Sequence, residues 1–433
     1  MLDRGAAGTG AATSSADMSS VRWRIFGIIF VLVIINLIER IALSIAMPTI
    51  GAEFQLSPAM QGVILSAFFW SYAALQIPGG WLTDKLGPRK MIAGGTILWG
   101  LFQGLAMFAT GGLSLLVTRL GLGAAEAPLF PAGGKLNSIW LSSRERGRGA
   151  VLMDCGGPLG AAVGGLIISS LILGLGSWRL AFLVSGVVTA VIGIVAWWYI
   201  HDDPRTHSGV TSGELLHITQ QDAGMALADD MNRRLTFRSI AGVLLGRMGW
   251  TMVFFGLITW GPSYLAQARG MDLKQLGWAT FLIFMMGTAG SLTGGFAADW
   301  LTQKGIARST VLRAMLAVSG SLTALAFLLL PSVAEPMQAV ALLAAAVFFL
   351  MWGSLYWSFP ALLAPRDKIG LVGGVMNCAG SVSGILVPII TGLILQQTGA
   401  YVVVLYFFAA AAIVYVLGTL VIDFNAGGSR HAS

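Results

Sequence analysis

Twelve stretches, each long enough to match the roughly 20 mostly apolar residues a transmembrane helix needs, recur near 22–47, 59–83, 90–110, 112–139, 147–173, 178–200, 239–267, 274–301, 310–331, 337–363, 370–396 and 401–422. The chain is 56% hydrophobic and 10% charged over 433 residues, with a mean hydropathy of +0.79. A soluble core of ordinary size cannot hide that much apolar surface. The pattern predicts an all-α membrane protein with twelve transmembrane helices.

Orientation follows from the basic residues, because cytoplasmic loops carry the Lys and Arg excess. With both termini inside, most of the 26 basic residues fall on the cytoplasmic side, among them Arg24, Lys85, Arg89, Lys90, Arg146 and Arg205. Arg179, Arg269 and Lys274 fall outside, and Arg40, Arg119 and Arg247 fall within helices. This places the chain in the cytoplasmic (inner) membrane as a multi-pass protein. The net charge of +7 is then accounted for by this bias and by lipid headgroups, with no call for nucleic acid. The first 20 residues read as a flexible tail and not a cleaved signal, since they have no apolar core. Cys155 and Cys378 lie in different predicted helices and form neither a disulfide framework nor a metal motif.

Internal repetition sets the architecture. The segment GGWLTDKLGPRK, Gly79 to Lys90, is matched nearly half a chain later by GGFAADWLTQKG, Gly294 to Gly305, and each copy carries an Asp five positions after its first Gly, at Asp84 and Asp299. Two pseudo-symmetric six-helix halves are expected, at 21–200 and 239–424, joined by a polar cytoplasmic linker at 201–238 and flanked by tails at 1–20 and 425–433.

At Gly79–Lys90 the string G-G-x-L-x-D-x-x-G-x-R-K resembles the loop motif of the major facilitator superfamily. Physically the motif offers close helix approach at Gly79 and Gly80, an Asp84 able to meet helix N-termini or Arg partners, and a basic end at Arg89 and Lys90. It serves either as a gate latch that breaks in each cycle or as a static cap. Gly87, Asp299 and Arg146 complete the candidate gating set. Three further strings, ERIALSIAMPTIGAEFQLS, SAFFWSYAALQIPGGWLTDKLG and RLGLGAAEAPLFPAGGKLNSIWLSSRERGRG, resemble the anion:cation symporter family, which includes proton-coupled carriers of galactonate, glucarate and hexuronates. The resemblance implies alternating access, operation as a monomer, and no cofactor, with the proton gradient as the driving force.

An ionisable residue at a helix centre costs about 2.5–3.5 kcal/mol, so each one is a functional candidate. There are six, Glu39, Arg40, Arg119, Glu126, Asp154 and Arg247, and five lie in the first half. Arg119 and Glu126 are two turns apart on one helix face, about 10 Å in rise. Arg40 and Arg119 are suited to grip one carboxylate, because a guanidinium binds it with a planar fork and stays charged. Glu39 and Glu126 suit proton exchange, since burial favours the protonated carboxyl and a nearby Arg favours the carboxylate. The resemblance implies the same roles. The alternative is that these charges form structural ion pairs, although adjacent residues such as Glu39 and Arg40 point about 100° apart and do not pair easily. Asp154 reads equally as a further proton site, a partner for an Arg, or a protonated helix contact. Arg247 is either a third positive point or a gate residue.

Asn377 matches the family's substrate-binding Asn, with a helix contact as the alternative. Trp352, Tyr356 and Trp357 of the tenth helix fall on roughly one face, and would form an aromatic wall or serve as core packing or an interface belt. Leu37, Glu39, Asp154 and Gly157 depart from the residues common in sugar-acid carriers, which thins out groups suited to hydroxyls.

Other classes fit less well. The chain has no phosphate-cradling G-x-x-x-x-G-K-[ST], and its four histidines are scattered in the linker and tail, which argues against an ATP-driven pump or a membrane enzyme. A drug/proton antiporter of the same fold would rely on acidic groups, so paired arginines favour an anion. The expectation is proton-coupled uptake of an organic anion, first a sugar acid and otherwise an aromatic acid or a dicarboxylate such as tartrate, with anion, protons and the lipid bilayer as the only partners.

Overall fold

Proline and glycine set many of the helix boundaries. The computed structural model describes residues 19–142, 145–220, 236–363 and 369–423. The tails and the middle of the linker lie outside them, as does the Asp154 side chain. The first half comprises α1 (Val21–Glu53), α2 (Pro58–Leu86), α3 (Pro88–Leu105), α4 (Gly112–Glu126), α5 (Leu129–Trp140), α6 (Arg146–Leu175) and α7 (Trp178–Tyr199). A short linker helix follows, α8 (Ser212–Gln220). The second half comprises α9 (Phe237–Arg269), α10 (Leu273–Gln303), α11 (Arg308–Leu329), α12 (Pro336–Leu350), α13 (Phe359–Leu363), α14 (Ile369–Thr398) and α15 (Tyr401–Val421).

Among the described residues twelve helical spans are long and apolar enough to cross a membrane. They follow the expected stretches closely, except that α1 continues to Glu53. Ser57 accepts from the Met60 amide at 3.3 Å and Pro58 opens α2. Asp272 and Gln275 form a reciprocal capping box at the start of α10.

Two spans are not continuous α-helices. Pro128 and Pro131 each lack an amide donor, and the fourth span breaks into α4 and α5 directly after Glu126. The tenth span winds as a 3-10 helix over Met351–Ser358 between α12 and α13.

Successive spans run antiparallel, so one end of the bundle carries the glycine motif and the other the α1–α2 turn. At this far end the halves meet tightly, α2 on α14 and α6 on α10. A Cβ at Gly62 would strike the Pro388 carbonyl, and one at Gly277 would strike the Ser169 hydroxyl. Small residues permit such approach. Toward the motif end Ile77 of α2 is 85% exposed and Phe296 of α10 75%.

The motif residues organise the first half. Gly79 packs on Pro128 and Gly80 on Pro131. Gly87 links α2 to α3 at φ 89°, a conformation that favours glycine, and the Arg89 amide donates to the Asp202 carboxylate at 2.7 Å. Asp84 pairs with Lys135 of α5 at 2.9 Å, so its partner among the described residues is a lysine of the same half. Arg89 donates to the Trp197 carbonyl at 2.9 Å, and Arg146 to the Ser138 carbonyl at 3.0 Å. Lys90 is exposed. Asp299 of α10 pairs instead with Arg308, the first residue of the next helix, at 3.4 Å.

Candidate functional site

The segment NLIER distributes its polar side chains around α1. Asn36 and Arg40, one turn apart, face α4, where both donate to Glu126 Oε2, Arg40 through Nε and Nη2 at 3.2 Å each. Glu39 turns the other way and accepts from the Thr189 hydroxyl of α7 at 2.5 Å. The adjacent Glu39 and Arg40 are therefore divided between two helix gaps, as the 100° step requires.

Arg40 lies under an aromatic shell from α2, its guanidinium carbon 4.3 Å from the Phe68 ring centre and 4.8 Å from that of Tyr72. Such contacts hold a cation without neutralising it. Arg119 of α4 is buried, donates to the Glu39 main-chain carbonyl at 3.3 Å, and sits 5.4 Å from the Phe182 ring. Its Nε and Nη2 atoms, Glu126 Oε1 and Glu39 Oε2 are buried with no hydrogen-bond partner among the described residues. Buried polar atoms of this kind ask for an explanation.

Arg40 and Arg119 share one cavity. Its lining includes Ser44, Phe68 and Phe69 of the first half and Ile258 and Thr259 of α9, so it lies between the halves. Two guanidiniums and the hydroxyl residues Ser44 and Thr259 on an otherwise apolar lining form a hollow whose chemistry suits an anion. Clustered His, Cys, Asp or Glu that would hold a metal do not occur among the described residues.

Residues 29–388 match the family model of the Major Facilitator Superfamily. The chain belongs to this superfamily. It is a multi-pass membrane transporter, not an enzyme. Its relatives include the probable galactarate/D-glucarate transporter GarP of Escherichia coli K12, 31% identical over 90% of this chain and 92% of that one. The probable sulfoacetate transporter SauU of Cupriavidus necator is 33% identical over 88% of this chain and 89% of that one. A bacterial homologue of the human lysosomal transporter Spinster, solved in an inward-facing and occupied conformation, superimposes with a TM-score of 0.74 at 15% identity, covering 95% of this chain and all of that one. This transporter therefore shares their fold over nearly its whole length.

The remaining candidates scatter around the facilitator core. Asn377 of α14 donates to Gln76 of α2 at 3.2 Å, bridging the halves. Tyr356 does not reach the cavity: its hydroxyl lies 2.7 Å from that of Thr419 of α15, and its ring is fully buried. Trp352 packs on Gly294 of α10 and against the Phe349 ring, 5.4 Å between centres. Trp357 reaches Arg247 at 4.8 Å, with Trp250 on Arg247 at 4.4 Å. The reason is the 3-10 winding. At about three residues per turn, positions four apart no longer share a face, so no aromatic wall forms.

Sequence reasoning missed Asn36, Thr189 and the Phe68–Tyr72 shell. Asn36 was signalled by its position one turn before Arg40, and Phe68 and Tyr72 by the same spacing on α2.

Proposed function

We propose that the protein is a proton-coupled symporter that takes up an organic anion of the sugar-acid class, working as a monomer with no cofactor beyond the proton gradient. The observation that carries this reading is the Arg40–Glu126 pair on the cavity shared with Arg119. The Glu126 carboxylate occupies the fork of Arg40. An incoming carboxylate needs that fork, and protonation of Glu126 releases it.

Anion and proton binding then favour one another by the same factor, as linkage demands. Glu39 is the second proton carrier, coupled to the anion through Arg119, which touches the Glu39 main chain on one side and lines the cavity on the other. Asn377 and Gln76 meet across the halves and must separate or re-pair as the halves rock. The positive bias of the motif end supports a cytoplasmic placement for it and for both termini. The segment between the halves is then a cytoplasmic linker, and the motif a latch.

Uptake into vesicles under an imposed inward proton gradient tests the reading, with D-glucarate, D-galactonate, tartrate, benzoate and sulfoacetate as the panel. Wild-type protein accumulates an anion uphill; Glu126→Gln retains exchange and loses accumulation. Uphill, pH-driven uptake at the normal rate in that variant removes Glu126 from the coupling.

A second reading has its own support. Among the described residues Ser44 and Thr259 are the only hydroxyl side chains on the cavity lining, beside the two arginines and apolar and aromatic groups. A hydroxyl-poor dianion fits that lining, and accumulation of sulfoacetate with none of the sugar acids decides for it.

A further inference from the structure

Buried threonines in this bundle normally turn back on their own helix. Thr83, Thr96, Thr251, Thr259, Thr323 and Thr419 each donate to the carbonyl four residues earlier. That is the ordinary outlet for a hydroxyl in an apolar helix. Thr189, in the middle of α7 and 1% exposed, departs from it and reaches across to Glu39 Oε1 on α1. The carboxyl is itself completely buried, and its Oε2 has no partner among the described residues. The charged side chains acting on it are Arg119 and Glu126, both from α4; the other helices packed on α1 bring no further charge there among the described side chains.

We propose that Thr189 is a positioning residue for proton coupling, whose hydroxyl holds the Glu39 carboxyl toward α7 and off the anion cavity. The inference rests on the reading of Glu39 as a proton carrier. A hydroxyl suits the task because it donates to a carboxylate and accepts from a carboxylic acid, so the contact survives both protonation states. Held this way, Glu39 exchanges protons without becoming a competitor of the anion for Arg40.

Infrared difference spectroscopy of the purified protein in lipid, titrated with acid and base alone, reads the carboxyl directly and needs no substrate. Glu39→Gln is expected to delete one titrating buried carboxyl band. Thr189→Val, nearly equal in shape, is expected to move the midpoint of that band toward higher pH by about 1 unit, because the hydroxyl bonds the carboxylate more strongly than the acid. Thr189→Ser restores the wild-type midpoint, and Thr189→Ala serves if the valine variant does not fold. A band that Glu39→Gln deletes and Thr189→Val leaves in place overturns the positioning role while the coupling reading stands. A serine variant that moves with the valine variant also overturns it, since packing and not the hydroxyl is then responsible. No band lost in Glu39→Gln removes Glu39 from proton exchange, and the role of Thr189 falls with it.

Discussion

Arg119 makes its contact with α1 through a main-chain carbonyl, which leaves its charge available to the cavity. Arg119→Lys replaces a fork by a point charge and should weaken anion binding about ten- to hundred-fold, the worth of one charged hydrogen bond. Calorimetric titration checks it, and an unchanged Kd would remove the contact. Tyr356→Phe separates packing from recognition. Loss of the bond to Thr419 should cost about 1 kcal/mol of stability and leave anion affinity untouched, because the ring is enclosed by the second half. A thermal melt alongside the same titration tests both parts, and a large change in Kd would return Tyr356 to the site.

Helix α8 shows how an element is held by charge at the membrane face. Glu214 is fully buried and accepts from the Arg22 guanidinium at 2.8 Å and from the Val21 and Arg22 amides at the start of α1. Free amides at a helix start attract a carboxylate. Beside it Glu145 binds Arg22 at 3.2 Å, Ser142 at 2.9 Å and His217 of α8 at 3.3 Å. Burial pushes the Glu145 carboxyl up, but the Arg22 guanidinium and the Ser142 hydroxyl outweigh it and hold it below its ordinary value. A depressed carboxyl stabilises the docked state above its ordinary titration range, and that contribution is lost as pH falls through the depressed value. Proteolysis of the 201–220 segment should therefore accelerate only below the usual carboxylate range, and Glu145→Gln should flatten the dependence. Equal cleavage at neutral and acid pH would refute the link. The contribution is modest, because Glu145 is only partly buried and solvent screens it.

Across the whole molecule the two halves are closed on each other at the far end by backbone contact. Van der Waals packing and not ion pairing holds the closed seam, so it is sensitive to single methyl groups. Gly62→Val meets the Pro388 carbonyl and should keep the far ends apart. Uptake then falls to background while anion binding persists, which a vesicle uptake assay run beside a calorimetric titration checks. Full transport by Gly62→Val would show that the seam tolerates separation.

The twelve spans, the two halves and the charges worth examining were legible in the sequence. A bilayer forces every backbone hydrogen bond inside a helix and makes each buried charge expensive, so apolar length and lone ionisable residues are signals that need no tertiary context. Glu39, Arg40, Arg119 and Glu126 were found that way. Their partners were decided only by the tertiary structure. Arg40 joins Glu126 because the break at Pro128 ends α4 beside Asn36 and Arg40, Thr189 meets Glu39 because α7 packs on the other side of α1, and Tyr356 leaves the cavity because its segment winds as a 3-10 helix. Each is a matter of which helix faces which, and packing across many residues sets that.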